Sequence, residues 1–161
     1  MLTIRSYDAE DEDALWSILE PVIRAGETYA LPRNMQRAAA IAYWTGAPRD
    51  VLVAERGGAV LGTYFIRPNQ PGGGDHVCNC GYATAEAAQG QGVARAMLAH
   101  SLERARAQGY AAMQYNFVIT SNERAVATWQ KAGFDTVGHL PGVFRHPRLG
   151  MVDALVMYRR L

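Results

Sequence analysis

The stretch EAAQGQGVARAMLAHSLERA, residues 86–105, changes character within a few positions. Gly90 and Gly92 flank a glutamine, and from there the chain runs as an amphipathic helix closed by Gly109. Glycine is a poor helix former, so its concentration where a long helix begins calls for a local reason. A strand that passes through glycines into a helix aims free main-chain N–H groups at one spot, where the helix dipole also favours negative charge; such a spot binds phosphate. The helix, expected over residues 91–108, puts Val93, Met97, Leu98, Leu102 and Ala105 on one stripe and leaves Arg95, Glu103, Arg104 and Arg106 largely outside it, so it covers a sheet.

Outward from this turn the pattern alternates between strands and helices. Expected strands cover 2–7, 51–56, 59–67, 76–84, 112–119, 134–140 and 152–160; expected helices cover 11–25, 35–45, 91–108 and 122–132. Gly57-Gly58 suits a tight antiparallel hairpin. The order βααβββαβαββ gives an α/β sandwich in one domain, a mixed sheet of about seven strands flanked by four helices. The 161 residues suffice for a single core, and neither repeats nor low-complexity segments interrupt them.

Composition narrows the partner. A net charge of +1, with 49% apolar and 19% charged residues, lacks the basic excess of a general nucleic-acid binder and points to a small molecule. No run approaches a membrane span, and no basic segment followed by an apolar one opens the chain, which sets the expectation of a soluble, untargeted protein. Cys78 and Cys80 alternate on one strand, where the backbone rise holds them about 6.5–7 Å apart, a poor disulfide geometry that suggests the cytosol. They have no neighbours at metal-ligand spacing, so no metal site is expected.

Three phosphate turns compete for Gln89–Ala94. A P-loop needs a Lys-Ser or Lys-Thr pair, which the chain lacks. A dinucleotide fingerprint would place Arg95 where a small residue must pack, and no acidic residue stands near position 115 for a ribose. Gln89-Gly90-Gln91-Gly92-Val93-Ala94 instead resembles the Q/R-x-x-G-x-G/A signature of the GCN5-related N-acetyltransferase (GNAT) superfamily. Asn122, Ala125, Lys131, Gly133 and Phe134 resemble that family's second pattern, and the element order fits over nearly the whole chain.

The resemblance implies an acyl-CoA N-acyltransferase fold and acetyl-CoA as cofactor. It implies that the amides of Gln89, Gly90, Gln91, Gly92, Val93 and Ala94 hold the pyrophosphate, with Arg95 near a phosphate or simply solvated. Main-chain groups of Tyr82 and Thr84 would pair with the pantetheine arm, Asn122 and Trp129 would face it, and the Tyr82 N–H would meet the oxyanion. Trp129 stands where the family's tyrosine usually protonates the departing thiolate, and an indole cannot take that role.

Two strand asparagines carry more information. Asn79 and Asn116 each project opposite their apolar neighbours in interior strands, where an unpaired carboxamide costs about 1–3 kcal/mol, so both need partners: internal hydrogen bonds or a substrate. Together with AGETYALP (25–32), HVCNCGY (76–82) and QYNFVITSN (114–122), they resemble the branch that acetylates the proline analogue azetidine-2-carboxylate in yeast. In that branch the matching asparagines hold the acceptor nitrogen.

Glu27, Thr28 and Tyr29 then border the acceptor, and its proton would pass to water, Glu27 or His76. Arg145, His146 and Arg148 are either an acceptor carboxylate clamp or a solvated loop, while His100 and His139 read as structural. The acceptor expected is a small-molecule amine; a protein-directed acetyltransferase and a non-catalytic CoA sensor remain open. Homodimers are common among the family's relatives.

Overall fold

The computed structural model describes residues 1–161. Its elements are β1 (Thr3–Ser6), α1 (Glu12–Ala25), α2 (Arg37–Thr45), β2 (Asp50–Arg56), β3 (Ala59–Pro68), β4 (Val77–Thr84), α3 (Val93–Ala107), β5 (Ala112–Ile119), α4 (Glu123–Lys131), β6 (Asp135–His146) and β7 (Gly150–Arg160). The order is the expected one. One seven-stranded sheet runs β1-β2-β3-β4-β5-β7-β6, and its single parallel pair is β4 with β5.

Strand alternation divides the core between the two faces. Leu52, Tyr64, Ile66, Met113 and Met157 pack with Val93, Met97, Leu98, Leu102 and Ala105 of α3, and Val126 and Trp129 of α4 close the same cluster. On the other face Val51, Phe65 and Ala83 meet Leu15, Ile18, Leu19 and Ile23 of α1 and Trp44 of α2. The α3 stripe is buried as its periodicity predicts. At Gly62 a Cβ would stand 2.9 Å from both Met97 Cε and Val93 Cγ1, so the missing side chain lets α3 lie close on β3.

The break in the sheet matters most for function. Pairing of β4 with β5 covers Val77↔Ala112 and Cys78↔Met113 and then stops. Against β7, β5 shifts register between Tyr115 and Val118, and such an irregularity bends a strand away from its neighbour. A V-shaped gap opens between the upper halves of β4 and β5.

The last hairpin corrects the sequence reading. Pro141 and Gly142 suggest a strand end after Leu140, yet β6 continues to His146 and β7 begins at Gly150. Both breakers fall inside a register shift between Leu140 and Phe144, where the Gly142 N–H donates to Asp153 Oδ1 at 2.8 Å. Since β6 is an edge strand, a proline there breaks no inner ladder. Arg145 and His146 therefore belong to a strand rather than a loop. His146 is buried, and its Nδ1 accepts from the main-chain N–H groups of Arg148 and Leu149 at 3.1 and 3.2 Å, capping the turn. Arg145 is exposed, and Arg148 pairs with Glu27, so the three do not form a carboxylate clamp.

Candidate functional site

A cavity of about 500 Å³ fills the gap between β4 and β5. Cys80, Gly81, Tyr82, Ala83 and Thr84 form one wall, and Tyr115 to Ile119 the other. Asn122, Ala125, Thr128 and Trp129 of the α4 region and Thr28 to Leu31 of the α1–α2 connection complete the lining, Trp129 packing on one face of the sheet and Tyr29 and Leu31 on the other. Ala94 in the first turn of α3 reaches the cavity, so the glycine turn and the gap form one continuous surface.

The turn departs from its sequence reading at two amides: the N–H groups of Gln89 and Gln91 donate to the carbonyls of Glu86 and Ala88, both at 3.3 Å, and are not free for a phosphate. Gly90 and Gly92 have φ of +76° and +80°, a region that L side chains avoid, which answers why glycine recurs there. The N–H groups of Gly90, Gly92, Val93, Ala94 and Arg95 find no acceptor in the chain. Orphan donors at the start of a 15-residue helix make an anion cradle. Gln91 is fixed beside it, its Oε1 accepting from Arg56 Nη1 at 3.0 Å and its Nε2 donating to the Ala87 carbonyl at 2.9 Å. Gln89 and Arg95 are exposed at the same turn.

A diphosphate on an extended arm fits these residues. The cradle supplies unpaired donors for the phosphates, and the gap supplies a strand edge and an apolar wall for the arm. Asn122 lines this wall, though its side-chain oxygen also accepts from the Ala125 N–H at 3.3 Å and caps α4. Trp129 lies over Tyr82 and Tyr115, with ring centroids 5.3 and 4.8 Å apart.

Both sequence-predicted asparagines line the cavity, and both are internally paired. Asn79 Nδ2 donates to the Gln114 carbonyl at 2.9 Å, bridging the gap where the main-chain ladder has ended. Asn116 Nδ2 donates to Asn69 Oδ1 at 2.6 Å, and its Oδ1 accepts from Gln114 Nε2 at 2.9 Å. Arg67, which the sequence reading did not single out, stands beside them; its sole side-chain hydrogen bond is a long 3.4 Å donation to Asn79 Oδ1. It makes no ion pair, whereas Arg5, Arg37, Arg104 and Arg148 all do.

Three placements depart from expectation. Glu27 does not line the cavity and pairs instead with Arg148 at 2.6 Å. His76 is exposed and away from it. The Tyr82 N–H is already taken, donating to Tyr29 Oη at 2.9 Å. The cavity wall contains no aspartate, glutamate or histidine.

Two of the phenols that line the cavity, Tyr82 and Tyr115, do not stand in for the tyrosine missing at Trp129. The Ser101 hydroxyl donates to the Leu98 carbonyl at 2.8 Å, so it accepts from Tyr82 Oη at 2.7 Å, which accepts in turn from Tyr115 Oη at 2.9 Å. Burial raises the pKa of both phenols well above the ordinary tyrosine value. Their protons are committed to this buried chain.

A family model described as "Acetyltransferase (GNAT) family" matches residues 13–134. The chain superposes with a TM-score of 0.94 on a GCN5-related N-acetyltransferase from Kribbella flavida, at 35% identity over 99% of this chain and 98% of that one. A phosphinothricin acetyltransferase of Sinorhizobium meliloti, solved in complex with acetyl-CoA, shares the fold with a TM-score of 0.85 at 20% identity, covering 99% and 88% of the two chains. The N-acetyltransferase aca1 of Schizosaccharomyces pombe is 27% identical over 99 residues, which span 61% of this chain and 47% of that protein.

Proposed function

Because the chain belongs to the acetyltransferase (GNAT) family, we propose that it is an acetyl-CoA-dependent enzyme that moves the acetyl group to the amino or imino nitrogen of a small molecule. The observation that carries this reading is the continuity of the orphan-amide cradle with an open strand edge and an amide-lined end. The free amides of Gly90, Gly92, Val93, Ala94 and Arg95 hold the diphosphate, and β4 from Tyr82 to Thr84 orders the arm. Bound there, acetyl-CoA supplies an activated thioester carbonyl and a thiol leaving group of pKa about 8.5, tolerable near neutrality without an acid.

Asn79 and Asn116 orient the acceptor nitrogen. Neither accepts a proton at neutral pH, and the wall offers no carboxylate or imidazole, so the amine arrives neutral or loses its proton to water. Arg67, half-buried beside the asparagines without an ion-pair partner, suits an acceptor carboxylate, which favours amino or imino acids. We place the enzyme in the cytoplasm.

The test is acetyl-CoA binding by calorimetry together with thiol release against a panel of amino acids, imino acids, amines lacking a carboxylate, and peptides. Release stimulated by small amino or imino acids is expected. Binding without amine-stimulated release would leave a sensor module, and selective release with peptides would leave a protein modifier.

A further inference from the structure

Tyr29 reaches from the α1–α2 connection to β4 and satisfies both main-chain groups of Tyr82 with one hydroxyl. It accepts from the N–H at 2.9 Å and donates to the carbonyl at 2.6 Å. Its oxygen does what an adjoining strand would have done had β5 not turned away, and so an open edge persists at the centre of the sheet with its donor paired. Burial raises the phenol pKa, which keeps the hydroxyl protonated and able to donate.

The same two groups of Tyr82 are those that an extended arm lying along β4 requires, and one N–H and one carbonyl on a single residue cannot serve both partners fully. Residues 27–31 make no main-chain hydrogen bond. Their polar tethers are the Tyr29 hydroxyl and the Glu27–Arg148 ion pair. The base of the connection is firmly held: Arg24 Nη1 donates to the carbonyls of Arg33 and Met35, and Arg33 Nε to that of Arg24. The tip carrying Thr28, Tyr29, Ala30 and Leu31 is thus a short span on fixed ends, and those residues line the cavity.

Resting on the acetyl-CoA reading above, we infer that Tyr29 is a place-holder for the cofactor's arm: its hydroxyl occupies the β4 edge until the arm displaces it, and that displacement rebuilds this part of the cavity wall. Withdrawal of Tyr29 from the edge and docking of the arm are then one event. Tyr29 acts as a positioning residue, through the segment that carries it.

The decisive experiment compares coenzyme A binding to wild type and Tyr29→Phe by calorimetry. The variant keeps the ring that meets Trp44 edge-on at 5.8 Å and removes the competing hydroxyl. Binding tighter by about 3–10-fold is expected, the worth of one net hydrogen bond. Loss of a merely structural bond would not tighten binding. Equal or weaker affinity in the variant overturns the place-holder and leaves the acetyl-CoA reading intact, whereas a wild type that does not bind coenzyme A removes both. A crystal structure of the wild-type complex decides the matter independently: Tyr29 Oη withdrawn beyond 4 Å from the Tyr82 nitrogen supports the inference, and an unmoved Tyr29 ends it.

Discussion

Asn116 is paired on both sides of its carboxamide, with Asn69 and with Gln114, before any acceptor arrives. An amide already held in place orients a ligand at little further entropic cost, which suits positioning rather than proton transfer. Asn116→Ala should lower kcat/KM for the acceptor about tenfold, the worth of one net hydrogen bond with its geometry, while changing the acetyl-CoA Kd less than twofold. Steady-state kinetics beside calorimetry separates the two, and an unchanged kcat/KM removes Asn116 from the acceptor site. Because the wall carries no carboxylate or imidazole, the acceptor's own titration should set the pH profile. Log kcat/KM should climb with unit slope up to the free amine's pKa, and the plateau should move when a less basic acceptor is used. An inflection between pH 6 and 7 that stays fixed across acceptors would reveal a base on the protein.

At the scale of elements, the joint between β1 and α1 is fixed by charge. Arg5 donates to both oxygens of Asp11 at 2.7 and 2.8 Å and to Glu55 at 2.8 Å, and the Asp8 N–H adds a bond of 2.8 Å to Asp11. The Arg5 guanidinium holds the Asp11 carboxyl below its usual range; burial opposes this and the Asp8 N–H assists. Ionised Asp11 favours the native state, so its contribution is full above the unfolded carboxyl value of about 3.9 and vanishes as the pH falls through the lower native value. Asp11→Asn should cost about 1–2 kcal/mol at pH 7, screening at half-exposed Arg5 keeping it modest. In urea melts the gap from wild type should close below pH 4; a gap that persists at pH 2.5 contradicts the ion pair as its cause. The Gly57-Gly58 hairpin between β2 and β3 was legible because turn chemistry is local: both glycines take the positive φ that such a turn needs. The length of β6 was not, because only pairing with β7 and the Gly142–Asp153 bond show that Pro141 and Gly142 form a bulge rather than an end.

For the whole molecule the division between legible and hidden follows sequence distance. The glycine turn was readable because its glycines and its helix lie within one short run, whereas the pairing of the Gln89 and Gln91 amides with Glu86 and Ala88 appears only in the folded turn. The Tyr29–Tyr82 contact spans 53 positions, and the exposure of Arg67 to the cavity depends on how β5 bends, so no local pattern announces either. Binding at the cradle should nonetheless be visible in global stability, since a ligand that binds only the folded chain stabilises it by RT ln(1 + [L]/Kd). At a hundredfold excess over Kd that is about 2.7 kcal/mol, which for a domain of this size raises Tm by about 5–10 °C. Gly92→Glu should abolish the rise, because it forces a side chain onto a φ of +80° and sets a negative charge where the diphosphate lies. Position 92 is exposed, and a Cβ there meets nothing within 4 Å, so the variant should fold, the positive φ costing about 1–2 kcal/mol and lowering its ligand-free Tm by about 2–8 °C. A Gly92→Glu protein that still gains the full shift with acetyl-CoA would place the cofactor away from this turn.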